Sequence, residues 1–139
     1  MKTQLRIGRR QEGQAMVEFA LVIPLLLLLI FGIIQFGMLF NNYLALTDAV
    51  RVGARQAAVS RTLPDPVAAT TTRLQGAATN LKVSNLVITV DPYDPLTDTP
   101  TWAQGGDVTV KATYPYAINL FGMVVMSGRI ESETTERVE

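Results

Sequence analysis

The feature that most constrains this chain is a stretch of 29 uncharged residues between Glu18 and Asp48. Within it, the 22 residues from Phe19 to Phe40 read FALVIPLLLLLIFGIIQFGMLF, and sixteen of them are Leu, Ile, Val or Phe. As a helix this run is about 33 Å long, which is enough to cross the hydrocarbon core of a bilayer. A soluble protein of 139 residues has little with which to cover such a helix on all sides. The run is therefore interpreted as a transmembrane helix.

The charges on either side of the run predict its direction in the membrane. Residues 1–13 carry four basic groups and one acidic group, a net charge of +3, and residues 14–139 carry the compensating −3. Basic residues accumulate on the cytoplasmic side of membrane helices, so we expect a cytoplasmic N-terminus and an exported remainder. A cleaved secretory signal peptide has a shorter apolar region, of about 7–15 residues, followed by small residues at a cleavage site. Here Asn41-Asn42-Tyr43-Leu44 follows the run, so removal of the whole span is not expected.

The composition excludes several kinds of active site. The chain has no cysteine and no histidine, which removes thiolate chemistry, disulfides, zinc sites built on these residues and histidine-based catalysis. The sequence also lacks a Gly-rich phosphate loop, a catalytic pair of acids and a basic patch for nucleic acid. We therefore expect a protein that is not an enzyme, needs no cofactor or metal, and does not bind nucleic acid.

One acidic residue directly precedes the apolar run. A charge taken toward the bilayer centre costs on the order of 3 kcal/mol. Glu18 is therefore either a solvated residue at the membrane interface or a residue with a pairing partner. Gln14 lies four residues earlier, one helical turn away. If the chain were cut between Gly13 and Gln14, the new α-ammonium could pair with Glu18 of the same or a neighbouring subunit.

Two segments resemble the TadE-like pseudopilins of tight-adherence (Tad/Flp) pili. The segment GQAMVEFALVIPLLLL at residues 13–28 is similar to the prepilin-peptidase processing site and the apolar run that follows it in that family. The segment ALTDAVRVGAR at residues 45–55 is similar to a second family motif. The positions that carry the second motif are Arg51, Gly53, Ala54 and Arg55. Together the similarity covers about residues 8–58.

The resemblance implies a non-enzymatic protein of pilus assembly or structure, processed after Gly13 by a membrane aspartyl prepilin peptidase. It implies a mature chain that begins at Gln14, in which Glu18 neutralises the N-terminal amine of a neighbouring subunit. The implied partners are the peptidase, other pilin or pseudopilin subunits and the Tad assembly machinery. The implied location is the cytoplasmic membrane of a bacterium or archaeon, or a pilus at the cell surface. The alternative is an uncleaved bitopic membrane protein whose external domain binds a partner or ligand.

The residues after the span predict two helical segments. Residues 41–61 are rich in good helix formers, so the first helix should continue out of the membrane to about residue 61. Leu63-Pro64-Asp65-Pro66 should end it, and Asp65 with Pro66 should begin a second helix over 66–81. Apolar residues recur there every seven positions, at Val67, Leu74 and Leu81.

The remaining sequence predicts an α+β fold. Alternation with a period of two indicates strands near 83–91, 107–115 and 128–138, which should form an antiparallel meander covering the extension of the first helix. The result is a pilin-like domain with a second helix and a three-stranded antiparallel sheet. The expected organisation is a basic cytoplasmic leader (1–13), a transmembrane helix with its amphipathic extension (14–61) and an exported α+β domain (62–139).

Small and charged side chains on the helix extension suggest packing surfaces. Four small residues at i,i+4 spacing form a ridge: Ala45, Ala49, Gly53 and Ala57. Such a ridge allows close approach of a backbone, either a neighbouring pilin helix or the protein's own sheet, and both remain open. Arg51 and Arg55 share a face, and Asp48 is placed to pair with Arg51.

Three further features have alternative interpretations. Asp91, Asp94 and Asp98 could bind calcium, but alternating Asp and Pro favour turns. Trp102 and the Tyr114-Pro115-Tyr116 segment could bind a sugar or a partner, but packing is favoured. The apolar run INLFGMVVM at residues 118–126 is too short to span a membrane. It is either a buried element, which we favour, or an exposed assembly surface.

Overall fold

The computed structural model describes residues 8–120 and 122–139, and for residues 8–12 it describes the backbone alone. Residues 1–7 of the predicted leader, and Phe121, lie outside the described residues. The elements in chain order are α1 (Gly8–Ala58), α2 (Pro66–Ala77), a 3₁₀ helix (Val83–Asn85), β1 (Val87–Tyr93), β2 (Asp107–Leu120) and β3 (Met123–Arg137). The predicted α+β class is confirmed, with its long N-terminal helix, second helix and three-stranded antiparallel sheet.

The first helix runs without interruption from the leader through the apolar run into the folded part. Its 51 residues make it about 76 Å long. It ends at Ala58, where the last carbonyl groups need partners from outside the helix. The Trp102 indole donates to the Ala57 carbonyl at 3.0 Å, and the Glu139 amide donates to the Ala58 carbonyl at 3.0 Å. Distant parts of the chain therefore cap α1.

The second helix begins as predicted and ends earlier. The Ala68 amide donates to Asp65 Oδ1 at 2.9 Å, which makes Asp65 the N-cap, and Pro66 is the first helical residue. The predicted end at residue 81 is wrong, since α2 stops at Ala77. The seven-residue repeat was also misleading, because Val67 is 45% exposed. The buried side of α2 is instead set by i,i+4 spacing, through Thr70, Leu74 and the capping residue Ala78.

The sheet is the predicted antiparallel meander, with strand order β1-β2-β3. Val110 in the central strand pairs with Val90 on one side and Thr134 on the other. Side chains of β2 alternate between buried and half-buried, so one face of the sheet points into the protein. The buried members on β2 are Val108, Val110, Ala112 and Tyr114. This face packs against α1 and α2, as predicted for the helix extension.

The β2–β3 hairpin is much longer than predicted. The expected boundaries at residues 115 and 128 are wrong: β2 continues to Leu120, and β3 begins at Met123. Proline is tolerated in strands where an edge is free, and Pro115 lies beyond Thr113, the last β2 residue that pairs with β1. Gly122, at φ +85°, belongs to the turn between the two strands. The hairpin therefore extends past the rest of the sheet as a two-stranded ribbon.

Candidate membrane anchor and processing site

The N-terminal part of α1 is exposed over the residues whose side chains the structure describes. In the most apolar part of this helix none of the residues is buried. Every residue from Gly13 to Phe31 is exposed, including the leucine run 25–29. A helix that is apolar on all sides is stable where its surroundings are also apolar. The helix is long and apolar enough to cross a membrane, in agreement with single-pass anchoring.

Gln14 and Glu18 lie together at the start of this apolar helix. The Gln14 side-chain amide donates to Glu18 Oε1 at 3.0 Å, and both residues are exposed. Sequence spacing had placed them one turn apart, and the structure brings them into contact. A Cβ atom built on Gly13 would meet nothing within 4 Å, so the residue before Gln14 is also open to its surroundings. The residues predicted to carry processing and charge pairing thus form one accessible patch.

The ridge of small residues faces the interior of the protein. Ala49 and Ala57 are fully buried, and a Cβ atom on Gly53 would lie 3.0 Å from the Leu74 side chain of α2. Ala45 is half-buried beside the same core. Of the two alternatives left open by the sequence, the structure shows packing within the protein. The ridge lets α2 and the sheet approach α1 closely.

The charged positions of the second motif lie on the opposite side of α1. Arg51 Nη1 is 3.8 Å from Asp48 Oδ1, as the spacing predicted, but the two side chains are largely exposed. Exposed pairs of this kind contribute about 0–1 kcal/mol. Arg55 is also exposed, in the last turn of the helix, whereas Ala54 is buried. The motif therefore combines a packing side, which holds the fold together, with a solvated basic side.

Two of the three aspartates, Asp94 and Asp98, stabilise the loop after β1. Asp94 accepts hydrogen bonds from the Thr97 hydroxyl at 2.7 Å and the Leu96 amide at 2.9 Å, and these bonds lower the pKa of its carboxyl. Asp98 adopts φ 54° and accepts from the Tyr93 hydroxyl at 2.8 Å, which raises the pKa of the tyrosine. These two residues build a turn, as favoured from the sequence. Asp91, by contrast, lies inside β1, and the described residues contain no group of acids arranged to hold a metal.

The aromatic residues singled out in the sequence take part in packing. Trp102 is half-buried and caps α1, as described above. Tyr114 is 9% exposed, and its hydroxyl accepts a hydrogen bond from the Lys82 amide at 3.4 Å. The interpretation as packing residues is confirmed for both. Neither presents an open surface for a sugar.

A contact that the sequence did not indicate joins the apolar helix to the tip of the β2–β3 hairpin. The Gln35 side-chain amide donates to the Asn119 carbonyl at 3.0 Å, across 84 positions of sequence. Among the described apolar residues of 118–126, Ile118 is buried and Leu120 is half-buried, whereas Met123–Met126 are exposed. The expectation of a buried element is therefore wrong for the tip. In the sequence, Gln35 stands out as a polar residue in an otherwise apolar helix, which could have indicated a contact. The sequence does not identify its partner.

Comparison with known proteins gives a match for α1, from the predicted processing site to the second motif. Residues 13–55 match the family model of the TadE-like proteins, from the glycine before Gln14 to the second arginine of the helix extension. This segment of the chain is TadE-like. Searches of curated proteins and of solved structures found no match. Similarity to the TadE-like family over these residues implies association with the Tad pilus, and pilin-like proteins of this kind are generally not enzymes.

Proposed function

We propose that this protein is a minor pilin or pseudopilin of a Tad pilus, processed after Gly13 by a prepilin peptidase. The observation that carries the proposal is the extent of the family match. It begins at Gly13, includes Glu18 at the edge of the apolar helix, and continues through most of the packed part of α1 to Arg55, three residues before the helix ends. A protein built this way is anchored by one end of a helix and presents a folded domain at the other.

The position of Glu18 in α1 supports cleavage after Gly13. In the uncut helix, Glu18 is the eleventh residue of α1, far from the helix N-terminus. Cleavage before Gln14 makes it the fifth residue, close to a new α-ammonium and to the positive end of the helix dipole, where a carboxylate is stabilised. The amide of Gln14 already lies 3.0 Å from this carboxylate. The amine of the same chain, or of a neighbouring chain, can then approach Glu18 without rearrangement of the helix.

The charge distribution supports one orientation for the anchor. The net charge of +3 on residues 1–13 favours a cytoplasmic leader, where a cytoplasmic peptidase face would meet it, and an exported folded part. The mature chain would then carry −3. The partners in this proposal are the prepilin peptidase, other pilin or pseudopilin subunits and the assembly machinery. Association with these subunits would use the exposed apolar part of α1, since the small-residue ridge is occupied internally.

Complementation of a strain that lacks this protein tests the proposal. Glu18→Gln keeps the length and hydrogen-bonding capacity of the side chain but removes its charge. We expect normal amounts of membrane-inserted protein and a loss of pili, because an amine near residue 18 would lack its counter-charge. Asp48→Asn is the matched control, since it removes another exposed acid from the same helix. Normal piliation with Glu18→Gln would contradict the proposed charge pairing, and normal piliation without the protein would contradict the function itself.

A further inference from the structure

The β2–β3 hairpin reaches back along the apolar part of α1. Its contact point, Gln35, lies five residues before Phe40, the last residue of the apolar run. Five residues correspond to about 7.5 Å along a helix axis. The hairpin continues past Asn119 before it turns, so its tip lies at this level or nearer to the middle of the apolar run. The fold therefore places the tip beside a segment that is expected to be surrounded by lipid.

The surface of the tip is apolar and uncharged. The four residues Met123–Met126 are between 54% and 69% exposed. The 17 residues from 112 to 128 carry no charge, and the charged residues that bound them are Lys111 and Arg129. Consecutive large apolar side chains that are this exposed indicate a surface with a partner. Water is an unfavourable environment for them.

We propose that the tip of the β2–β3 hairpin inserts into the bilayer leaflet on the side of the folded domain, as a second membrane contact beside α1. This inference rests on the membrane anchoring of α1. The tip surface is continuous with the lipid-facing surface of the helix, because the Gln35–Asn119 hydrogen bond fixes one to the other. The same bond pairs two polar groups that would otherwise be costly in an apolar environment.

Two tyrosines lie near the membrane surface that this proposal predicts. Tyr43 on α1 lies eight residues after Gln35, about 12 Å along the helix. Tyr116 on β2 lies three residues before Asn119, about 10 Å along the strand. Tyrosine is enriched where hydrocarbon meets the headgroups. Both tyrosines thus lie at a similar height, just beyond the level of Phe40, and the apolar tip lies below them.

Packing and charge beyond the tyrosines fit the same boundary. A Cβ atom on Gly128 would lie 3.0 Å from the Tyr116 ring, so the ring lies across this glycine on the neighbouring strand. Arg129 follows directly and pairs in register with Pro115, one residue farther from the tip than Tyr116. The first charge of β3 is therefore on the water side of the tyrosine. A guanidinium there can reach lipid phosphates while the apolar tip remains in the acyl chains.

The strand edges limit how deeply the hairpin can enter. β1 pairs with β2 only as far as Thr113, and β3 is the last strand of the sheet. Unpaired backbone groups are costly in hydrocarbon. Only the turn and the residues beside it can therefore be immersed, and insertion is confined to the outer part of one leaflet.

Depth-dependent quenching of a fluorophore tests this proposal on the full-length protein. The chain has no cysteine, so a single Val124→Cys variant can carry an NBD label, and Val124 is already 60% exposed. Leu27→Cys marks the middle of the apolar helix, and Leu96→Cys marks a loop residue that is 91% exposed. Each labelled protein is reconstituted into phosphatidylcholine vesicles that contain a nitroxide lipid, with the nitroxide either near the headgroup or in the middle of the acyl chain.

We expect the label at position 124 to be quenched more strongly by the shallow nitroxide than by the deep one. The label at position 27 should show the reverse order, and the label at position 96 should be quenched by neither. Quenching at 27 without quenching at 124 would overturn hairpin insertion and leave anchoring intact. Absence of quenching at both positions would contradict anchoring as well. A label at 124 that is shielded only at high protein-to-lipid ratio would show that a second copy covers the tip, which also overturns the proposal.

Discussion

The two ends of α1 belong to one helix but have opposite surroundings. From Gly13 to Phe31 every residue is exposed, whereas from Leu46 to Ala58 one side of the helix is buried in the core. The first part is apolar on all sides, so no single face can pack, and lipid can cover it all. The second part has small and apolar residues on one side and charged residues on the other, so it packs against a sheet and α2. The distribution of apolar residues around the helix, and not their number, determines which partner each part requires.

Removal of a large side chain that packs against the second part of α1, and of one within its first part, should give the greatest contrast. Leu74, on α2, is fully buried against the second part of α1, whereas Leu27 in the first part is 42% exposed. Leu74→Ala should lower the free energy of unfolding by about 2–5 kcal/mol, because it leaves a cavity. Leu27→Ala should change it by less than about 0.5 kcal/mol. Urea unfolding of both full-length variants in detergent measures the difference, and equal losses would contradict it.

Glycines in the two parts provide a second matched pair. Gly53 is in contact with Leu74, but a Cβ atom on Gly32 would meet nothing within 4 Å. Gly53→Val should destabilise the folded part by about 1–3 kcal/mol through overpacking. Gly32→Val should have no such effect, since its side chain points toward lipid or detergent. Thermal unfolding of the two variants, followed by circular dichroism in the same detergent, checks this. A larger loss for Gly32→Val would reverse the assignment of the two parts.

A stabilising substitution should be possible beside the buried part. Thr70 on α2 is fully buried, and its hydroxyl has no hydrogen-bond partner among the described residues. Thr70→Val keeps the shape of the side chain and removes the unpaired polar group, so we expect a gain of about 1 kcal/mol. Thr72→Val on the exposed side of α2 is the control and should stay within about 0.5 kcal/mol of the parent. A loss of stability for Thr70→Val would show that the hydroxyl has a partner.

The loop after β1 should contribute to the acid dependence of stability. Hydrogen bonds lower the pKa of Asp94 below its ordinary value of 3.8, so its contribution to stability is present above that value. The contribution is lost as the pH falls through the lower pKa of the folded state. Asp94→Asn should therefore reduce the part of the acid dependence of Tm that lies below pH 4, while Asp91→Asn serves as a control on the neighbouring strand. An unchanged acid dependence in Asp94→Asn would contradict this role of the loop.

The sequence allowed some elements to be predicted better than others. The span, the capped start of α2 and the meander follow from local patterns that packing reinforces: an uncharged run, Asp65 before Pro66, and alternation on β2. The length of the hairpin could not be predicted, because residues 118–126 do not alternate and their partner is the other strand of the same ribbon. The Gln35–Asn119 contact depends on how far that ribbon extends.

The candidate site also has features that the sequence predicts and features that it does not. The contact between Gln14 and Glu18 follows from helical spacing alone, and the structure places the two side chains 3.0 Å apart. The small-residue ridge has a spacing that suits either a neighbouring helix or the protein's own fold. The burial of Ala49 and Ala57 and the position of Leu74 over Gly53 distinguish them, and both depend on the tertiary structure.

The N-terminal mass of the protein isolated from its own host tests the central claim most directly. Mass spectrometry is carried out on membranes of cells that produce pili and on cells that lack the prepilin peptidase. Gly13→Leu is the informative variant, because the site is open and the helix tolerates leucine, and Gly37→Leu is its control in equally open surroundings. We predict a chain that begins at Gln14 in the parent and in Gly37→Leu, and an uncut chain in Gly13→Leu and in cells without the peptidase. An intact N-terminus in the parent protein of piliated cells would contradict the proposed processing.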